Sequence, residues 1–452
     1  MEEKLTKRLY ELYIQHPEVT TDSRRCPAGS MFFALKGESF DGNRFASKAL
    51  EVGSAVAVVD NPNVVPEGDK RYVVVPDTLQ ALQALAAHHR KHFKGPVLQV
   101  TGTNGKTTTK ELLAAVLSRR YRVLYTQGNL NNHIGVPLTL LRLRPEHELA
   151  IIETGANHPG EIAFLTDIVQ PDYGLITNVG RAHIEGFGSF EGVKRTKGEL
   201  YDYLAQKGTA HIFINTSNRD LCSMLAERGI DTRSEKCIAY GHENAGEDML
   251  CRGAVVSCNP MLCIRWEDKQ RASYEAATQL IGDYNLDNVL AAVAAGLHFG
   301  VSVQEINKTL EDYHPSLGRS EYRKTAHNKL IIDAYNANFT SMQAALENFK
   351  KIEQPGKMVI LGDMKELGHD SAEAHQQVAD LALKCGIQTA WFIGEEFAKA
   401  LATMKIPPTI NVQSFDHVQT VIERIKTEPP TDKLILIKGS NSTKLHQLPD
   451  LL

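Results

Sequence analysis

The chain has 452 residues, 42% hydrophobic and 23% charged, with a formal net charge of −4. That length exceeds one ordinary domain and points to about three, and the charge balance argues against a general polyanion binder while leaving room for a local basic pocket. The seven cysteines (Cys26, Cys222, Cys237, Cys251, Cys258, Cys263 and Cys385) are odd in number, scattered and without a CxxC pair, which fits reduced thiols better than a disulfide framework or a zinc site.

The opening MEEKLTKRLYELYIQ is charged and amphipathic with no apolar signal core. Up to about residue 94 short β-rich runs (MFFALKG, SAVAVVD, RYVVVP) precede a helix-like TLQALQALAAHHRKHF, which Lys94-Gly95-Pro96 should break. From Val97 apolar strands alternate with amphipathic helices: VLQVT, RVLYT, LAIIE, YGLIT and AHIFI predict a mostly parallel, doubly wound sheet. Residues 250–266 look hairpin-like, and a helix near Asn285 should close the unit. Near Leu317-Gly318 the alternation restarts with KLIID, KMVIL, TAWFI and KLILI, predicting a second, smaller α/β domain of Rossmann-like type. The expected class is therefore α/β with three domains, 1–94, 95–316 and 317–452. No run approaches the ~18 apolar residues of a membrane span, and a cytoplasmic protein is expected.

VLQVTGTNGKTTTKELLAAVL runs from an apolar strand through a glycine-rich turn into a helix. Gly102 and Gly105 would let backbone N–H groups face phosphate oxygens, with the helix N-terminus adding positive dipole. Lys106 could reach the terminal phosphates and the Thr107 hydroxyl could bind Mg²⁺. The strict GxxxxGK[ST] pattern fails, because Val100 stands at its first glycine. Glu153 ends LAIIE and His183 follows YGLITNVGRA. Alone, one reads as a helix-start carboxylate and the other as a satisfied loop histidine. Three strand ends converging on one rim favour Mg²⁺·ATP, which takes carboxylate, hydroxyl and sometimes imidazole ligands. EGFGSFEG misses the GxGxxG spacing and reads as a loop leading into a helix.

The strings TGTNGKTTTKE (101–111), NLNNHIGVPLTLL (129–141), ETGANHPGEI (153–162), ITNVGRAHIEGFGS (176–189), KGEL (197–200), NLDN (285–288), GRSE (318–321) and DAYNAN (333–338) occur in one order over nearly the whole chain. In that order they resemble the Mur ligase family, which extends the peptide of bacterial cell-wall precursors. LGDMKELG (361–368) and DAYNAN-x-TSM (333–342) resemble the branch that adds D-alanyl-D-alanine; the DNPR signature of the branch adding the third residue is missing.

The resemblance implies ATP and two Mg²⁺ ions as cofactors. Gly102, Thr103, Asn104, Gly105, Lys106, Thr107 and Thr108 would then form the phosphate loop. Asn285 and Asn288 would approach the nucleotide, Arg319 the phosphates and Asp333 the ribose or the C-terminal nucleotide contacts. Glu153 and His183 would hold the second metal together with Lys197 as a carbamate, although spacing alone reads Lys197 as a solvated lysine beside Lys194 and Arg195. Lys106, Lys197, His183 and Arg319 would be catalytic. Asp22, Ser23 and Arg24 would sit in the uridine-nucleotide domain, where Asp-Ser is also ordinary turn chemistry.

The implied substrates are UDP-N-acetylmuramoyl-tripeptide and D-alanyl-D-alanine, with no nucleic acid or membrane partner and a monomeric protein. The third residue of the tripeptide stays open. Acceptor choice is expected around LGDMKELG and KGSNS, though Asp363 or Glu366 alone reads as a loop carboxylate. Tyr284, Phe339 and Asn441-Ser442 depart from the family's usual histidine, proline and Arg-Gly. Rival readings are a folylpolyglutamate-type or cyanophycin-type ligase, and a nucleotide-binding scaffold without turnover.

Overall fold

The structure, a computed structural model, describes residues 3–244, 248–315 and 318–452. Among these residues the strands form three sheets of four, nine and six strands, in agreement with the expected α/β class.

The first unit contains α1 (Glu3–Gln15), β1 (Val19–Thr20), β2 (Met31–Phe33), α2 (Ala46–Val52), β3 (Val56–Val59), β4 (Tyr72–Val74) and α3 (Thr78–Arg90). The strands pair in parallel in chain order. Strands β2 and β3 are buried at every residue, as parallel strands covered on both faces must be. Asp77 starts α3 by accepting the Gln80 N–H, and the chain leaves the helix before Gly95-Pro96 as expected. The hydrophobic core does not stop there. α3 buries Ala81, Leu82, Leu85 and Ala86 on one face, and the same cluster holds Leu9 and Val58 on one side and Leu140, Ile152 and Leu165 on the other. Buried Arg90 ties this helix to the Val169 and Gln170 carbonyls and to Asp172, each at 2.9 Å. Leu85→Ala is therefore expected to cost about 2–5 kcal/mol, read as a lower urea midpoint for the first two units together. An unchanged midpoint would show that this shared core carries little.

The central unit runs β5 (Val97–Thr101), α4 (Lys106–Leu117), β6 (Val123–Tyr125), α5 (Gly135–Leu140), β7 (Leu149–Glu153), α6 (Glu161–Val169), β8 (Tyr173–Ile176), α7 (Ile184–Phe187), α8 (Phe190–Gln206), β9 (His211–Asn215), α9 (Arg219–Ala226), β10 (Cys237–His242), β11 (Cys251–Cys258), β12 (Met261–Asp268), β13 (Ser273–Ile281), α10 (Leu286–His298) and α11 (Val303–Asp312). The sheet order is β13-β12-β11-β10-β9-β8-β5-β7-β6, parallel from β6 to β11 and antiparallel beyond. All five expected strands are present. The expected hairpin is in fact a three-stranded meander. Its third strand, SYEAATQLI, has helix-favouring Glu, Ala and Gln, and its place in the sheet is set by pairing with β12. The EGFGS loop carries one helical turn, α7, before Ser189 caps α8 through the Gly192 N–H. α10 is buried along almost its whole length and packs with Val116, Leu117 and Trp266 in the central core.

The third unit contains β14 (Glu321–Lys324), β15 (Lys329–Asp333), α12 (Phe339–Lys351), β16 (Lys357–Gly362), α13 (Ser371–Leu383), β17 (Thr389–Ile393), α14 (Glu395–Thr403), β18 (Asn411–Phe415), α15 (Val418–Thr427) and β19 (Leu434–Lys438). Its order is β14-β15-β19-β16-β17-β18, antiparallel only at β14. The four expected strands form the interior. The two unexpected ones, EYRK and NVQSF, are the edges, where one open side lets polar residues replace an apolar run. Among the described residues no helix is long and apolar enough to cross a membrane.

Candidate active site

The turn between β5 and α4 depends on its glycines. Gly102 and Gly105 have φ of +141° and +75°, and a Cβ would strike the Thr177 hydroxyl at the first and the Asn288 amide at the second. The loop after β8 braces the turn: the Thr103 N–H donates to the Asn178 carbonyl (2.9 Å) and the Asn104 N–H to Asn178 Oδ1 (3.0 Å). These two N–H groups are thus engaged within the protein. Lys106 folds back and donates from Nζ to the Gly102 and Thr103 carbonyls, both at 2.9 Å. Burial pushes its pKa down, with Glu153 opposing.

Glu153, at the carboxyl end of β7, is 1% exposed. Its Oε1 accepts from Thr107 Oγ1 (3.2 Å) and Asn131 Nδ2 (2.8 Å). Its Oε2 has no hydrogen-bond partner among the described residues and faces the fully buried Lys110 ammonium at 3.9 Å. A hydroxyl and a carboxylate with an unsatisfied buried oxygen suit a hard cation. Mg²⁺ ordinarily takes one or two carboxylates and fills its shell with phosphate oxygens and water. The described residues contain no group of three or more His, Cys, Asp or Glu able to hold a metal alone.

His183 lies in the left-handed region at φ +52° and turns to the third unit, where its Nδ1 pairs with the Glu366 carboxylate. Burial lowers its pKa and Glu366 opposes this, while Lys106 and Lys197 lower it further. Lys197, on α8, is 2% exposed, so the solvated-surface reading of this lysine is wrong. Its Nζ sits 3.4 Å from the Ala156 carbonyl and 5.5 Å from the Phe187 ring centre. Burial, reinforced by Lys106, brings its pKa down to about 7.

A cavity of about 650 Å³ joins these groups to the third unit. Thr103 to Thr108, Glu153, His183, Asn285, Asn288, Arg319 and Asp333 line it. Asn288 accepts from Thr109 Oγ1 (2.9 Å) and donates to Asn285 Oδ1 (2.8 Å), which locks α10 to the start of α4. Arg319 stacks on Tyr335 with its guanidinium carbon 3.7 Å from the ring centre, and its buried Nε has no partner among the described residues. Asp333 accepts from the buried ammonium of Lys438.

Three family models cover the chain: "Mur ligase family, catalytic domain" over residues 17–90, "Mur ligase middle domain" over 100–296 and "Mur ligase, glutamate ligase domain" over 318–441. A UDP-N-acetylmuramoyl-tripeptide--D-alanyl-D-alanine ligase of Escherichia coli (strain K12) is 35% identical, over 95% of this chain and 92% of its own. The chain belongs to the Mur ligase family. The Bacillus subtilis (strain 168) ligase of the same name is 33% identical over 97% of this chain and 93% of its own. The solved structure of MurF from Acinetobacter baumannii superposes with a TM-score of 0.83 at 31% identity, covering 99% and 98% of the two chains.

Within this Mur ligase the structure also brings in residues that sequence reasoning left unassigned. Asn131 binds Glu153, and Asn338 donates to Asn104 Oδ1 across the unit boundary at 2.8 Å. Both stand in strings noted for the family, and a polar residue in such a string was the available signal. Lys438 could have been found by the strand-end argument that found Glu153. Five assigned positions lie off the cavity wall. Gly102 sits beneath the loop, and Lys197 is buried beside Phe187. Asp22, Ser23 and Arg24 lie in the first unit, where Asp22 accepts from the Arg24 backbone N–H (3.0 Å) and Nε (2.9 Å). Arg24 holds the Asp22 carboxyl at about 2. Tyr284 lines the cavity, with its hydroxyl 3.0 Å from Ser320 Oγ, and Phe339 opens α12 behind the capping Asn338.

Proposed function

We propose that this Mur ligase joins D-alanyl-D-alanine to the terminal carboxylate of UDP-N-acetylmuramoyl-tripeptide, with ATP supplying the activation. The observation that carries the reading is the single cavity in which Lys106, Thr107 and Glu153 of the central unit face Arg319, Asp333 and Lys438 of the third. A carboxylate oxygen attacks the γ-phosphorus and ADP leaves; the amine nitrogen then attacks the acyl-phosphate carbon, loses a proton and expels phosphate. Lys106 exchanges its two loop carbonyls for the transferring phosphoryl group, and Arg319, pre-stacked on Tyr335, meets the phosphates from the other side. Thr107 would hold one magnesium ion, and Glu153, His183 and a carbamylated Lys197 the second; the two ions would supply charge neutralisation on the phosphates. Asn285 and Asn288 brace the loop beside the nucleotide, and Asp333 receives the ribose.

The Glu366–His183 and Asn338–Asn104 contacts hold the units together and keep water from the acyl phosphate. In this reading residues 1–94, with Asp22, Ser23 and Arg24, take the uridine nucleotide. Residues 95–316 take ATP, and residues 317–452 take the amine. A monomer working in the cytoplasm completes the proposal. The test is phosphate release from ATP with UDP-N-acetylmuramoyl-tripeptide, with and without D-alanyl-D-alanine, followed by a screen of other amines. Release that depends on both substrates is expected. Release with a glutamyl acceptor instead would favour a folylpolyglutamate-type ligase, and none with any pair would leave only a nucleotide-binding scaffold.

A further inference from the structure

The segment that links β16 to α13 reaches the candidate active site at Glu366, which meets His183. Glu366 has φ +62°, a conformation that costs energy for a residue other than glycine and needs outside support. The support comes from the residues on either side. The Met364 and Leu367 side chains are buried in the third unit's core, while Lys365 and Glu366 point outward. Asp363, 2% exposed, accepts the Glu396 (3.1 Å) and Phe397 (3.0 Å) N–H groups at the start of α14.

The remaining anchor is His375, on α13, which is fully buried. Its Nδ1 is 2.7 Å from the Ser371 carbonyl, so it carries the proton and donates. Its Nε2 is 3.0 Å from the Met364 nitrogen and accepts that N–H. The two contacts together require the neutral ring protonated on Nδ1.

We propose that His375 is a positioning residue, whose neutral Nδ1–H form holds the Met364 backbone so that Glu366 is presented to His183. The proposal rests on the ligase reading above, because it makes the His183–Glu366 contact part of the working site.

The charged and titratable groups around the ring define what acid would do. Asp363 Oδ1, at the end of β16, lies 3.7 Å from Nε2. Glu396 of α14 reaches the ring through the Ser371 hydroxyl at 2.7 Å, and Lys365 lies on the loop itself. Phe397 packs its ring edge-on at 4.8 Å. Burial holds the His375 pKa below the ordinary histidine value, against the pull of Asp363 and Glu396. The neutral form therefore prevails at neutral pH. Once charged, Nε2 has a proton of its own and can no longer accept from Met364; its nearest acceptor is then Asp363. The backbone N–H is released and the Glu366 side of the loop loses its anchor.

The experiment compares wild type, His375→Gln and His375→Phe in the full-length enzyme, measuring kcat and the KM for D-alanyl-D-alanine from about pH 5 to about pH 9. A glutamine carbonyl can accept the Met364 N–H and does not titrate. His375→Gln is expected to stay within about threefold of wild type at the alkaline end and to retain at least about threefold more of its activity than wild type near the acid end. His375→Phe fills the space without an acceptor and is expected to lose about tenfold or more in kcat/KM. Side-chain ¹⁵N NMR of the ligand-free protein reads the tautomer independently of activity, with Nδ1–H expected at neutral pH.

Identical acid limbs in wild type and His375→Gln, or an Nε2–H tautomer, would overturn the proposal even if His375→Phe failed to fold. A wild type that releases no phosphate with these substrates would instead overturn the ligase reading, and the NMR tautomer would still decide the geometry.

Discussion

Lys106→Ala is expected to lower ligation by about a thousandfold or more while leaving the protein folded. The magnitude follows from removing a buried, preorganised cation from a transferring phosphoryl group, a loss of several kcal/mol in transition-state stabilisation. The residue is well suited to such a variant. Among the described residues its Nζ bonds only to the Gly102 and Thr103 carbonyls, and its side chain belongs to none of the hydrophobic clusters. The turn keeps its braces from Asn178, Thr177 and Asn288 without it. Phosphate release and thermal melting, measured side by side, check both halves of the expectation. Near-normal turnover in a folded variant would remove the phosphate assignment, while a large fall in melting temperature would mean that the ammonium holds the loop together.

Lys197 carries the second large effect. Lys197→Ala should be inactive and should regain part of its activity with formate or acetate, and Lys197→Arg should stay inactive. An ammonium has no lone pair for magnesium, whereas the product of a neutral amine with carbon dioxide offers two carboxylate-like oxygens. Burial brings this lysine down to about 7, so the neutral form dominates above that pH and the ammonium below it. Carbamylation, and activity with it, should therefore fall as the pH drops through about 7, and should fall at any pH when carbon dioxide is stripped from the buffer. Labelled carbon dioxide should give a carbamate carbon signal in wild type that Lys197→Ala lacks. Full activity in Lys197→Arg, which cannot form the carbamate, would defeat the idea.

The features legible in the sequence are those encoded by near neighbours in the chain. VLQVT-GTNGKT-TTKELL reads as strand, turn and helix because its apolar run, its two glycines and its helix formers are contiguous. Glu153 could be placed at a strand end by the same local logic. β14, β18 and β13 were hidden because edge position and antiparallel pairing, rather than their own residues, put them in sheets.

Side-chain partnerships across large separations were not legible at all. Nothing near His183 foretells Glu366, and nothing near Met364 marks His375 as its acceptor rather than as one more polar helix residue. The break at Gly95-Pro96 was readable, but the core that α3 shares with α5 and α6 was not. The class of fold, the strand–glycine turn–helix of 97–117 and the strand-end carboxylate were readable from the residues alone, since backbone preference and turn chemistry act over a few residues. The folded chain alone settles that Lys197 is buried, that Asp22 and Arg24 satisfy each other, and that Asn131, Asn338 and Lys438 complete the cavity. Burial and hydrogen-bond pairing depend on which distant surfaces meet.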